Sequence, residues 1–207
     1  MSRAPVTVIL ASSSPRRRDL LNTLGVQFRI EVPDVEEQLR HGEDAESYVQ
    51  RNSLEKCQVI SAKADGEKGA ILVIAADTVV VLGHQILEKP LDKHHARQML
   101  ESLSGKEHSV LSGVSIGYLA QAGSWEYFTF CTTTSVSMKQ LNEREIEHYI
   151  ASGEPLDKAG SYAAQGLGSY MVESIEGSYA NVVGLPVAQL CDAIDSRFGI
   201  SLWDLRV

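Results

Sequence analysis

Val6-Thr7-Val8-Ile9-Leu10-Ala11-Ser12-Ser13-Ser14-Pro15-Arg16-Arg17-Arg18 reads as an apolar strand, a tight polar loop and a helix entered at Pro15. A short apolar run that stops at turn-forming residues fits a buried strand. Ser14 stands where an N-cap belongs and Pro15 where a first helical residue belongs. A strand feeding a helix through such a loop is the opening of an α/β fold. Free backbone N–H groups and the positive end of the helix dipole converge on the loop, which favours an anion. Ser12, Ser13 and Ser14 add hydroxyls, while Arg16, Arg17 and Arg18 add forked positive charge suited to phosphate oxygens. The spacing is not that of a Walker loop. A capped helix with a solvated basic turn accounts for the same residues, so this loop alone leaves both readings open.

The chain has 207 residues, enough to bury a sizeable core in one domain or two small lobes. Hydrophobic residues make up 43% and charged residues 22%, the balance of an ordinary globular protein. A net charge of −8 argues against general nucleic-acid or anionic-membrane binding. An anionic ligand must then be met by a local basic pocket or a bridging cation. The opening MSRAPVTVIL is too short and too soon interrupted for a signal peptide, and the apolar region 71–82 is broken by Asp77. Cys57, Cys131 and Cys191 are odd in number and show neither zinc-ligand nor redox spacing. Reduced thiols and a cytoplasmic location follow as expectations.

The periodicity predicts helices over 15–24, 44–64 and 92–103, a further helix capped by Asn142 and Glu145, and a last helix opened by Pro186. It predicts strands over 26–31, 71–76, 108–118, 125–138 and 170–175, with 79–82 and 85–87 flanking a Gly83-His84 hairpin turn. Residues 121–124 read as a turn and 160–168 as a glycine-punctuated loop. The continuous apolar run 71–76 reads as a central strand buried on both faces. The fold class is therefore α/β, an extended mixed sheet flanked by helices.

Asp77 ends that buried run. Ligands collect at the carboxyl ends of such strands, so a carboxylate there is a functional candidate as well as a turn residue. The hairpin should return Glu88 and Lys89 toward it. Two carboxylates and an ammonium suit a divalent cation and a polyphosphate. Gln165, between glycines, offers donors and an acceptor to the edge of a base. His108 reads as structural, and no nucleophile elbow is present.

The motifs taken together resemble the Maf family of nucleoside triphosphate pyrophosphatases. They are Leu10-Ala11-Ser12-Ser13-Ser14-Pro15-Arg16-Arg17, Glu36-Glu37, Glu55-Lys56, Ala76-Asp77-Thr78-Val79, Glu88-Lys89-Pro90 and Leu103-Ser104-Gly105 with His108. Glu154-Pro155-Leu156-Asp157-Lys158-Ala159-Gly160, Gln165-Gly166, Gly177-Ser178-Tyr179 and Val183-Gly184-Leu185-Pro186 complete the series in order along nearly the whole chain. The resemblance implies one Maf-like domain over 1–207, an inosine-triphosphatase-like fold with two lobes around a cleft, and a homodimer. It implies cleavage of a nucleoside triphosphate to the monophosphate and pyrophosphate with Mg²⁺ or Mn²⁺.

Carried over by position, Asp77 is the proton acceptor, with Lys56 and Lys89 as catalytic lysines and Glu37, Glu88 and Asp77 as the metal carboxylates. Ser12, Arg16, Arg17, Thr78 and Gln165 match substrate-binding positions. Arg16, Thr78 and Gln165 place the chain with the branch acting on dTTP and UTP. The alternatives are a nucleotide-responsive regulator of septum formation and a pyrophosphatase for a methylated purine nucleotide. No nucleic-acid or membrane partner is expected.

Overall fold

The computed structural model describes residues 6–121 and 123–206. Residues 1–5, read above against a signal peptide, and Ala122 of the 121–124 turn lie outside the described residues, as does Val207. The order of elements is β1 (Val6–Ala11), α1 (Pro15–Thr23), β2 (Arg29–Ile30), α2 (Ala45–Ala64), β3 (Ala70–Leu82), β4 (Gln85–Leu87), α3 (Lys93–Leu103), β5 (Glu107–Leu119), β6 (Trp125–Met138), α4 (Glu143–Ala151), β7 (Val172–Glu176), α5 (Tyr179–Val183) and α6 (Val187–Phe198). Among the described residues the seven strands form one mixed sheet in the order β2-β1-β3-β5-β6-β7, with β4 paired to β3. β1 runs parallel to β2 and β3, while β4 and β7 pair antiparallel with β3 and β6. The α/β mixed sheet expected from the sequence is therefore present.

The chain divides into two compact units. The first comprises Met1–Asp77, Ser112–Thr132 and Gly184–Val207. Strand alternation builds its core. Val8 and Leu10 of β1 with Leu72, Ile74 and Ala76 of β3 meet Leu21 of α1 and Leu190 and Ile194 of α6. Ile9 and Ala11 with Ile71, Val73 and Ala75 meet Cys57, Ile60 and Ala64 of α2. Each large side chain buried this way contributes about 1.5–3 kcal/mol, so helices on both faces are what a strand apolar on both sides requires.

The second unit is Thr78–Leu111 and Thr133–Val183. Its core gathers Met99, Leu100 and Leu103 of α3, Ile146 and Tyr149 of α4, and Val136 and Met138 of β6. Asn142 and Glu145 form the reciprocal cap read from the sequence. Buried His108 meets the Tyr162 hydroxyl at 2.7 Å, consistent with a structural histidine.

Several boundaries differ from the sequence expectation. The strand expected over 26–31 shrinks to Arg29–Ile30, with Val26 in an isolated bridge to Arg206. The run 71–76 is only part of a strand that continues unbroken to Leu82, because Asp77 finds polar partners and need not end it. The 160–168 loop contains part of two short 3-10 turns, Ala159–Ser161 and Gly166–Met171, which push the next strand back to Val172–Glu176. Pro186 is the cap of α6, whose first helical residue is Val187.

Candidate active site

β3 and α2 bring the central charges together through two periodicities. Asp77 shares strand parity with Ile71, Val73 and Ala75, so it faces α2. The buried stripe of α2 is apolar at Cys57, Ile60 and Ala64 and polar at Asn52 and Lys56. Those two polar positions, one turn apart, therefore lie over the carboxylate. Lys56 Nζ donates to Asp77 Oδ1 at 2.8 Å, and Asn52 Nδ2 donates to Asp77 Oδ2 at 2.9 Å. The same Lys56 Nζ lies 2.8 Å from Glu37 Oε1. Asp77 and Lys56 are each 6% exposed and Asn52 is fully buried, so neither charge relies on water for its compensation.

Asn52 is the functional candidate that sequence reasoning missed. Its orientation is determined, because Arg51 Nη1 donates to Asn52 Oδ1 at 2.9 Å while its amide nitrogen faces the carboxylate. A flipped amide would oppose like partners on both sides. Burial alone would raise the Asp77 carboxyl. The Lys56 charge and hydrogen bond, the Asn52 hydrogen bond and the Arg17 charge outweigh it and hold Asp77 below the ordinary aspartate value.

The serine–arginine loop is tied to itself and to the chain that precedes α6. Ser14 has the extended backbone of an N-cap, but its side chain makes no cap hydrogen bond. Its N–H instead donates to Ser12 Oγ at 3.2 Å, and Arg17 Nη1 donates to the same hydroxyl at 3.3 Å. Arg17 Nε donates to the Gly184 carbonyl at 2.8 Å, which aligns the guanidinium. Burial pulls the Arg17 pKa down, against the upward pull of the Asp77 charge. Arg16 stands in the first turn of α1, half-buried.

The first unit thus holds Ser12 bonded to Arg17 and Glu37 joined to Asp77 through Lys56, with the Arg17 charge acting on Asp77. Thr78, Glu88, Lys89 and Gln165 belong to the second unit. Glu88 and Lys89 are exposed just beyond the β3–β4 ladder, which ends with Val80 opposite Leu87. The Glu88 carbonyl accepts from Gly160 N–H at 3.1 Å, fastening the start of the Gln165 segment to this turn. Gln165 is exposed and Thr78 half-buried.

The sequence model described as Maf-like protein matches residues 7–197. The chain belongs to the Maf family. It is 40% identical over 196 residues to a dTTP/UTP pyrophosphatase of Desulforamulus reducens, covering 94% of this chain and 98% of that one. It is 44% identical over 198 residues to a dTTP/UTP pyrophosphatase of Anaeromyxobacter sp., covering 95% and 92%. A third relative, a dTTP/UTP pyrophosphatase of Vibrio cholerae, is 47% identical over 180 residues, covering 87% and 92%. Among solved structures, a nucleoside-triphosphatase / dITP/XTP pyrophosphatase of Mycobacterium abscessus is 13% identical with a TM-score of 0.39, covering 92% of this chain and 93% of that one.

No group of three or more His, Cys, Asp or Glu side chains is arranged for a metal among the described residues. Mg²⁺ rarely uses such a cage and takes one or two carboxylates, with substrate phosphates and waters completing its shell. Glu37 and Asp77 both pair with the Lys56 ammonium and are the two carboxylates of this unit that could take that role.

Proposed function

We propose that this chain is a nucleoside triphosphate pyrophosphatase that cleaves dTTP and UTP to the monophosphate and pyrophosphate. The observation that carries this reading is Asp77, a buried carboxylate kept ionised by Lys56 and Asn52 and exposed to the charge of Arg17 from the serine–arginine loop. The names of the relatives at 40%, 44% and 47% identity support the substrates.

The Ser12–Arg17 segment receives the polyphosphate, with Arg16 and Arg17 offering forked donors and Lys56 and Lys89 offsetting oxygen charge. An ionised carboxylate has about four acceptor positions, so Asp77 keeps room for a water beside its bonds to Lys56 and Asn52. It orients that water toward the α-phosphorus and takes its proton. Lys56, shared by Glu37 and Asp77, can lean toward incoming phosphate without leaving Asp77 unpaired, because Asn52 remains. Glu37 and Asp77 would hold a Mg²⁺ or Mn²⁺ that offsets the charge of the departing pyrophosphate, and Glu88 of the second unit is a metal carboxylate by resemblance alone. By resemblance, base selection falls to Arg16 in the first unit and to Thr78 and Gln165 in the second. The proposal includes a homodimer in the cytoplasm, which light scattering and fractionation test.

Pyrophosphate release measured with a panel of triphosphates tests the function. The expected result is kcat/KM for dTTP and UTP above CTP, ATP and GTP. Preference for a purine or for 7-methyl-GTP would remove the substrate assignment and leave the reaction. No pyrophosphate from any member would remove both.

A further inference from the structure

The backbone on either side of Gln165 is fastened by one pair of side chains in the same unit. Glu154, at the start of the turn Glu154–Asp157, accepts from the Leu167 N–H through Oε1 at 3.2 Å and from the Gly168 N–H through Oε2 at 2.9 Å. Tyr149 of α4 accepts from the Ala163 N–H at 3.2 Å. The Tyr149 hydroxyl also interacts with the Glu154 carboxylate, and a phenol facing a carboxylate is the donor of such a pair. Burial first, then the Glu154 charge and this bond, push the Tyr149 pKa up, so the donor stays protonated. The result is a closed run from the Ala163 amide through the phenol and carboxylate to the amides of Leu167 and Gly168. Gln165 lies within the bracketed segment.

The glycines of the segment record the same arrangement independently. Gly166 has φ +74°, and a Cβ there would collide with Glu154 Oε1. A Cβ on Gly168 would lie 2.6 Å from the Tyr149 hydroxyl. Each glycine stands where one of the two side chains comes in. Hydrogen bonds to an ionised carboxylate are the stronger kind, and tyrosine buried by α4 is a rigid support.

We propose that Glu154 and Tyr149 form a clamp that fixes the approach of Gln165 and thereby sets which pyrimidine this chain accepts. This rests on the reading of Gln165 as a base-recognising residue. Uracil and thymine present O4 and N3–H, whereas cytosine presents the opposite pattern of donor and acceptor. A Gln165 segment free to shift lets the amide meet either edge. A fixed segment leaves polar groups unpaired against the wrong base, which is how such sites discriminate. Neither Glu154 nor Tyr149 needs to touch the nucleotide, so both are positioning residues.

The test compares kcat and KM for dTTP and CTP in the wild type, Glu154→Ala, Tyr149→Phe, Gln165→Ala and the double variant Glu154→Ala/Gln165→Ala. Glu154→Ala should narrow the dTTP-over-CTP ratio of kcat/KM by about tenfold or more, with kcat for dTTP changing less than that ratio. Tyr149→Phe keeps the ring and loses the bonds to Ala163 and Glu154, so it narrows the ratio in the same direction. The double variant should match Gln165→Ala alone, because the clamp acts through Gln165. If Glu154→Ala fails to fold, Tyr149→Phe decides the matter. If Gln165→Ala narrows the ratio and neither clamp variant does, the clamp is overturned and the reading of Gln165 stands. If Gln165→Ala leaves the ratio unchanged, that reading fails and the clamp's role in selectivity falls with it. An equal loss of kcat for both nucleotides at constant ratio would mean a structural role only and would also overturn the proposal.

Discussion

In the proposed reaction the central step falls to one side chain, Asp77. Its isolation after an apolar run made it visible in the sequence, and its contacts explain how a carboxylate stays charged there. Asp77→Asn retains size and loses the proton-accepting charge, so kcat should fall by at least ~10²-fold while nucleotide affinity changes far less. Turnover near the wild-type value in a folded variant would contradict the assignment. His108 governs a different observable, stability against pH. Its burial lowers its pKa to about 4 from the ordinary 6.5. The unfolded chain then takes up the proton more readily between these values, so stability is complete above pH 6.5 and declines as pH falls toward 4. The slope contributed is at most about 1.4 kcal/mol per pH unit. Glu43, held down to about 2 by Arg51 from an ordinary 4.5, adds a loss of the same sign in the lower window. Urea midpoints at pH 7, 6 and 5 should decline, and His108→Gln should flatten that decline. Parallel curves for the two proteins would refute the His108 contribution.

At the scale of elements, α2 decides whether the site forms. Its polar turn, Asn52 and Lys56, reaches Asp77 only because the helix lies close against β5. Gly113 permits that approach, since a Cβ there would collide with the Val49 backbone. Buried Ser115 bonds to Ser53 of the helix at 2.9 Å. Gly113→Ala should force α2 outward, cost about 1–3 kcal/mol in denaturation and lower kcat through the displaced Lys56 and Asn52. An unchanged midpoint with full activity would show that the approach is not needed. Asn52→Leu removes the donor to Asp77 Oδ2 and one of the two acceptors of Arg51 Nη1, which keeps Glu55. A lost buried partner of about 1–3 kcal/mol corresponds to a drop in kcat of roughly tenfold. An equal rate would leave Asn52 a packing residue. These features also mark where sequence reading stopped. The apolar stripe of α3 and the Asn142–Glu145 cap were legible because both are local patterns. The buried polar stripe of α2 was not, because Asn and Ser inside a helix read as neutral until the opposing strand is known. The small-residue face of β5 was hidden for the same reason, as its glycines acquire meaning only from the helix they admit. The turns around Gln165 depend on Glu154 and Tyr149, a contact between segments that no local pattern encodes.

At the scale of the whole molecule, the proposed function brings an acidic substrate to an acidic chain. A net charge of −8 and the Glu37–Asp77 carboxylate pair would repel a triphosphate unless local cations intervene. Excess chelator should therefore abolish pyrophosphate release, and Mg²⁺ or Mn²⁺ should restore it. Full activity in chelator would leave the arginines and lysines as the only charge partners. The family and the α/β sheet were both within reach of the sequence, since the motifs recur in order along the chain. Two lobes were expected, but where the chain divides was not legible, because β3, β5 and β6 are each continuous strands with residues assigned to both units. The central claim is that water, deprotonated at Asp77, attacks the α-phosphorus. Hydrolysis of dTTP in ¹⁸O-labelled water, followed by mass analysis of both products, tests it most directly. The account predicts dTMP carrying the label and unlabelled pyrophosphate. Label in pyrophosphate, or dTDP and phosphate as the products, would contradict it.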